Sequence, residues 1–414
     1  MPVANMLVNK ENKKIKLLLH TRSNIVAGGG VGYFLYYLSM NLDHNKFEIT
    51  VLNSGKFEHV GFSENEYRSL NERCRVIPYM DYANKFDYLY RNTLMVIVTH
   101  TFIKPLAIRF TRLKLQKELK SDLDKYDFIY LPFNFYSPLF SKTKTRKIGS
   151  CHTVFIKGPG FIQRLFKTVF TTFKIPRGID CFHLFPTYKP ALTPSEGSFN
   201  FTIAPGVDTG LFKPDSKVKD KKIRFLFVGS ATSSLGKGID VAFSAYCSLP
   251  LNLQEGSELH IIGARHQDQL NGAELPKSVF YHGIVSRDQE AAIFSMCDVL
   301  VYPTKMDVFP VVVLEALASG MYVIASDILR GVFDEFEDNG ALSYVKPKAD
   351  EFNGLMRQCF DRLDQIRKNS TKLHTYVKNS YDWSIVANKF AKALEDMKID
   401  MCLNSGNCWA KSDG

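Results

Sequence analysis

The chain has 414 residues, 45% hydrophobic and 23% charged. It is too long for one ordinary α/β core and too apolar for an extended disordered chain, so about two domains are expected. A formal net charge of +11 favours anionic partners, whether nucleotide phosphates, nucleic acid or an anionic membrane surface.

No run of about 18 apolar residues occurs, so no spanning helix is expected. The opening MPVANMLVNKENKK lacks the apolar stretch of a signal peptide, and a cytoplasmic location is the reading that follows. The eight cysteines include no CxxC pair, which leaves zinc and thioredoxin-type motifs unsupported. Most sit in apolar runs and read as buried reduced thiols; Cys402 and Cys408, in a polar tail, could pair only in an oxidising compartment. The N-x-[ST] matches at Asn200 and Asn369 carry no meaning for a cytosolic chain.

Short apolar runs alternate with helical patterns. IKLLLHT (15–21) reads as a buried parallel strand. AGGGVG (27–32) follows, then a helix with Val31, Phe34, Leu35, Leu38 and Leu42 on one face, and a second strand at 47–53. This β–Gly-loop–α–β unit opens a doubly wound domain, with later strands at 127–133 and 146–153. Residues 158–178 place Phe161, Ile162, Leu165, Phe166, Val169, Phe170 and Phe173 at helical spacing, and 104–120 carries six basic residues against Glu118. Two readings stay open for these stretches. The phenylalanines pack on the first domain's sheet under a solvated basic face, or a basic aromatic face lies on an anionic cytosolic membrane surface.

A second series follows Pro214. Strands are expected at 224–230, 258–264, 278–283, 298–304 and 322–327, with helices over IDVAFSAYCSL, QEAAIFSMC and VVVLEALASG. Such alternation implies a parallel sheet covered on both faces. The expected organisation is an N-terminal Rossmann-like domain over 13–200, a C-terminal one over 201–383, a crossing helix over 384–399 and a polar tail over 400–414.

The chemistry concentrates in PTKMDVFPVVVLEALASG (303–320). A strand ends near Thr304, Pro310 suits helix entry, and Gly320 suits a left-handed cap. The free N–H groups of residues 311–313, Val311 and Val312 first, would then form an anion site at the sheet's C-terminal edge. Asp307 in the loop and Glu315 on the helix are eight positions apart, close enough for loop and helix to turn both toward one ligand. Spacing alone fits a solvated loop Asp and a surface Glu equally well. Likewise, Gly28-Gly29-Gly30 alone fits a mere tight turn, and a lone His152 is more often structural.

This segment resembles the E-x7-E element of family-four glycosyltransferases, a large retaining group with two Rossmann-like domains facing across a cleft, the GT-B fold. Asp307 stands where the first Glu is usual. IAPGVDTGLFKP (203–214) resembles that family's interdomain motif. FLFVGSATSSLGKGIDVAFSAY (225–246) resembles its second phosphate loop, with Lys237 at the Lys position and Ser230 where an Arg is common. The stretch from Tyr281 to Thr304 resembles the base-contacting region at Gly283, Ile284 and Val285, and SYDWSIVANKF resembles the helix that crosses back.

The resemblance implies transfer of a sugar from a nucleotide-diphosphate sugar to a glycan or lipid-linked acceptor, with retention through front-face attack. Asp307 and His152 would then lie at the sugar. Lys237, the amides at Val311 and Val312 and the Gly28–Gly30 loop would hold the leaving diphosphate, and Glu315 the ribose. No DxD-type motif sits at a strand end, so no metal and no cofactor are expected. The alternative is a catalytically degenerate GT-B protein that binds sugar nucleotide without turnover. Epimerases and phosphorylases of the same architecture fit the C-terminal motifs less well. No nucleic-acid motif accompanies the positive charge, and no nucleic-acid partner is expected.

Overall fold

A computed structural model describes residues 14–20, 30–54, 64–79, 106, 109, 113, 122–132, 140, 143–150, 180–184, 199–215, 220–229, 234–263, 275–305, 307 and 309–404. Element numbers below cover these residues.

Among them, seven parallel strands form the first sheet: β1 (Ile15–His20), β2 (Phe47–Ser54), β3 (Arg75–Tyr79), β4 (Phe128–Leu131), β5 (Arg146–Ser150), β6 (Cys181–Leu184) and β7 (Phe199–Thr202). Their spatial order is β3-β2-β1-β4-β5-β6-β7. Helix α1 (Gly30–Asn41) crosses from β1 to β2, and α2 (Glu64–Arg73) leads to β3. The second sheet holds β8 (Ile223–Val228), β9 (Ser257–Ile262), β10 (Val279–Gly283), β11 (Val299–Tyr302), β12 (Tyr322–Ser326) and β13 (Leu342–Val345). It runs β10-β9-β8-β11-β12-β13, again all parallel. Both orders reverse beside their first strand, which opens a crevice at the strands' C-terminal ends. The fold is therefore the expected pair of doubly wound α/β domains.

Helices cover the second sheet: α3 (Ser234–Lys237), α4 (Ile239–Cys247), α5 (Leu251–Glu255), α6 (Arg287–Met296), α7 (Val311–Ala318), α8 (Asp334–Asp338), α9 (Ala349–Asp361) and α10 (Leu363–Tyr381). Strand β11 shows why its residues are apolar without alternation. Val299 and Val301 enter the core on one face, and Leu300 and Tyr302 enter the core on the other. A strand covered on both sides needs apolar side chains at every position.

Helix α7 ends as its sequence predicts. Gly320 has φ 77°, its N–H donates to the Leu317 carbonyl, and the Met321 N–H donates to Ala316. This six-to-one bond closes a Schellman cap. A β carbon at Gly320 would also lie 2.5 Å from Ser370 Cβ.

The closing helix α11 starts at Trp383 and reaches Asn404, beyond the expected end. Its Trp383, Val386, Phe390, Leu394 and Met397 are buried in the first domain's core beside Phe34 and Tyr37 of α1. These positions fall on one helical stripe. The crossing helix thus gives its apolar face to the first domain, as expected. It leaves the second domain beside the incoming chain, where Val207 N–H donates to Tyr381 and Trp383 N–H donates to Val207. Gly206 lies so close to the Trp383 ring that a β carbon would come within 2.7 Å of it.

Some expectations fall outside the described residues: the Gly28–Gly29 turn, His152, Ser230 and the phenylalanine stretch 158–178. Within 104–120 only Leu106, Arg109 and Leu113 are described, all helical and exposed. None of the described helices is long and apolar enough to cross a membrane.

Candidate functional site

The second sheet's switch point lies between β8 and β11. The chain after β8 leads through α3 to Lys237, and the chain after β11 leads to Asp307. Two contacts join these segments: the Lys305 N–H donates to Gly236 O at 2.7 Å, and the Thr304 hydroxyl to the same oxygen at 3.2 Å.

The result is a compact polar cluster. Lys237 Nζ pairs with Asp307 Oδ2 and donates to the Tyr302 hydroxyl at 2.9 Å. The Tyr302 hydroxyl donates to the same Asp307 oxygen at 2.6 Å. Burial and the adjacent Asp307 charge push the Tyr302 phenol well above its ordinary range, so it serves as a donor. Lys237 and Asp307 retain some exposure, 24% and 14% of their side chains, and an incoming ligand can reach both.

Helix α7 begins directly after this cluster. Val311 and Val312 head it, both half-buried. The Val313 N–H donates to Pro310 O at 3.0 Å. That amide is therefore used within the turn, and the expected three-amide anion site reduces to the first two.

Glu315, one turn further on, is not a surface residue. It is 6% exposed and accepts from Arg287 Nη2 at 2.7 Å. Arg287 Nη1 donates to Glu290 at 2.6 Å. The guanidinium lies 4.6 Å from the Tyr33 ring of α1 and 4.7 Å from the Phe212 ring, within cation–π range. Arg287, Glu315 and Val311 line a small pocket with Tyr33, Tyr37 and Asp208, so the first domain contributes one wall. Two carboxylates crowd one guanidinium here. Burial first, then the Glu315 charge, raise Glu290 to about 7.

Asp307 and Glu315 thus sit on either side of the α7 N-terminus, each held by its own cation. Gly283 ends β10 at φ 68°, Ile284 is 67% exposed and Val285 packs partly against the core. This edge offers backbone and an apolar side chain to a flat ligand. No group of three or more His, Cys, Asp or Glu with metal-site geometry occurs among the described residues.

Residues 208–383 match the family model Glycosyl transferases group 1. The matched residues span most of the second domain. No curated protein matches the chain in sequence. Among solved structures, sucrose-phosphate synthase from Thermosynechococcus elongatus superimposes with TM-score 0.69 at 15% identity, covering 94% of this chain and all 100% of that one. Anabaena HepE in complex with UDP and glucose gives 0.64 at 13%, over 92% and 99%. The α,α-trehalose-phosphate synthase of Burkholderia xenovorans in complex with glucose-6-phosphate gives 0.65 at 15%, over 92% and 100%. These likenesses extend across both domains and show the GT-B fold.

Sequence reading missed three parts of the candidate site. Tyr302 reads as one more core residue of an apolar strand, because nothing in spacing aims its hydroxyl at Asp307. Glu290 reads as a solvated helix charge. Arg287 had a usable signal: Ser286-x-x-Gln289 forms a capping box, which fixes Arg287 at the first helical position.

Proposed function

We propose that this protein is a retaining glycosyltransferase that moves a sugar from a nucleoside-diphosphate sugar to an acceptor hydroxyl. The observation that carries the reading is the Lys237–Asp307–Tyr302 cluster, set at the switch point beside the head of α7. In such folds ligands bind at that crevice, and helix N-termini favour phosphate.

In this reading the donor diphosphate lies against Lys237, the Val311 and Val312 amides and the Gly28–Gly30 loop. Nothing among the described residues would meet a β carbon at Gly30, so glycine there suits an approach by something other than the protein. Asp307 accepts from sugar hydroxyls, Glu315 accepts from the ribose, and the base lies along Gly283, Ile284 and Val285. The acceptor oxygen attacks from the face the diphosphate leaves, and the departing phosphate oxygen takes its proton. Orientation and charge stabilisation then supply the acceleration. His152 and Ser230 are proposed at the sugar and the diphosphate on the strength of the motif alone. The acceptor is a glycan or a lipid-linked hydroxyl. The complexes of the trehalose-phosphate synthase and HepE with glucose-6-phosphate and UDP make sugar phosphates and uridine nucleotides the first compounds to try.

A screen of UDP-, GDP- and ADP-sugars by thermal stabilisation tests the reading, since a ligand bound by the native state raises its melting point. At least one is expected to stabilise the protein and to be slowly hydrolysed. Failure of every nucleotide sugar to bind rejects the donor site. Tight binding with neither hydrolysis nor transfer to any acceptor favours a non-catalytic sugar-nucleotide binder.

A further inference from the structure

We propose that Arg287 is a positioning residue for the donor ribose, fixing the Glu315 carboxylate and tying it to helix α1 of the first domain. This rests on the reading of Glu315 as the ribose carboxylate.

Arg287 is held before any ligand arrives. The capping box roots it at the start of α6. Its two terminal nitrogens donate to Glu315 and Glu290, and its plane lies over Tyr33 and Phe212. Only 11% of the side chain is exposed. A planar fork fixed at both ends sets the direction of the carboxylate it grips, which a flexible ammonium does not do.

The grip leaves capacity for a ligand on the Glu315 carboxylate. Arg287 donates to Glu315 Oε1, and among the described residues no bond is made to Oε2. The Arg287 Nε is buried without an acceptor. A buried N–H without a partner is costly, and this one belongs to a residue that lines the same pocket as Glu315 and Val311. The Glu315 Oε2 left open beside this pocket suits a ribose hydroxyl as donor, with the buried guanidinium behind it holding the carboxylate in place. The proton that two carboxylates around one guanidinium can share is drawn to Glu290. Tyr33 lies three residues beyond Gly30, so the same guanidinium links ribose capture to the placement of the first domain's glycine loop.

The test compares ribose with its hydroxyl-free form. Binding of UDP, GDP and ADP, each against its 2′,3′-dideoxy counterpart, is measured for wild type, Arg287→Gln, Arg287→Lys, Glu315→Gln and the Arg287→Gln/Glu315→Gln double variant, with melting temperature as the folding check. Wild type is expected to prefer the ribose form about tenfold, the effect of leaving a site's polar group unpaired. Arg287→Gln should reduce that preference to about twofold or less, as Glu315→Gln does, and the double variant should lose nothing more. Arg287→Lys, the fallback where the Gln variant does not fold, should keep an intermediate preference because one ammonium cannot reproduce the fork. A full wild-type preference in either folded Arg287 variant overturns the proposal, even if both affinities fall together. No preference in wild type itself would instead remove Glu315 from the ribose, and the proposal with it.

Discussion

The backbone of Gly238 lies against the carbonyl of Pro303, so close that a β carbon on Gly238 would stand 2.1 Å from that oxygen. Gly238 also has φ 81°, a region disfavoured by side chains. This contact seats the turn carrying Lys237 on the strand end that leads to Asp307. Gly238→Ala is expected to cost at least about 2 kcal/mol from strain and clash together, and to weaken nucleoside-diphosphate binding by displacing Lys237. Calorimetry on the free protein and a binding titration measure the two effects. An alanine variant that melts and binds like wild type would mean the turn moves without consequence.

Lys237 and Asp307 should separate binding from turnover. Lys237→Ala removes a charge-assisted contact of about 1.5–3 kcal/mol, so nucleoside-diphosphate affinity should fall about tenfold or more. Asp307→Asn leaves Lys237 with one competitor fewer, so the diphosphate should bind at least as well while sugar transfer or donor hydrolysis drops. Equal loss of affinity in both variants would place Asp307 at the diphosphate and not at the sugar. EDTA should leave the wild-type rate unchanged; abolition by EDTA and recovery with Mg2+ or Mn2+ would reject the metal-free mechanism.

Gly30 offers a steric test. It heads α1 and nothing described lies within 4 Å of a β carbon placed there, and its φ is not in the left-handed region. Alanine also has the better helix propensity, by about 1 kcal/mol in a helix interior. Gly30→Ala should therefore leave the melting temperature unchanged or higher, yet weaken donor binding if the diphosphate approaches this backbone. Unaltered donor affinity would move the phosphates away from α1.

Much of the second domain was legible because a doubly covered parallel sheet writes each strand as an unbroken apolar run. β8, β9, β11 and β12 lie within two residues of their expected limits at either end. β3 was not read, and its Pro78 explains why. Proline cannot donate to a ladder and is confined to edges or bulges, and β3 is one of the two edge strands of the first sheet. Edge strand β13 and helices α9 and α10 also went unread. The two helices are largely polar, and only one stripe of each is buried: Phe352, Met356 and Cys359 in α9, Ile366 and Val377 in α10; β13 is only four residues long. At the site, spacing left Asp307 and Glu315 open between a ligand site and solvated charges, and the family resemblance singled them out together with Lys237. It could not show that Asp307 and Lys237 pair or that Arg287 grips Glu315, because those partners lie 70 and 28 positions apart in the chain.

The last prediction concerns pH. Burial and the neighbouring Glu315 charge raise Glu290 from its ordinary 4.5 to about 7, against the opposing pull of Arg287. The folded state therefore binds this proton more tightly than the unfolded chain. Its contribution to stability is complete below about 4.5 and is lost as pH rises through about 7. Buried histidines act in the opposite sense. Burial lowers His20 to about 3 and His183 and His260 to about 4, so their contribution is complete above 6.5 and is lost as pH falls toward those values. Raw stability against pH sums both trends, and the informative quantity is the difference between wild type and Glu290→Gln. Glutamine keeps a hydrogen-bond acceptor for Arg287 and cannot titrate. The variant should gain on wild type steadily between pH 5 and about 7.5, the window set by the raised Glu290. Melting temperatures of both proteins across that range measure it. A difference that does not change with pH would mean Glu290 stays ionised beside Arg287 throughout, with any shared proton held elsewhere in the cluster.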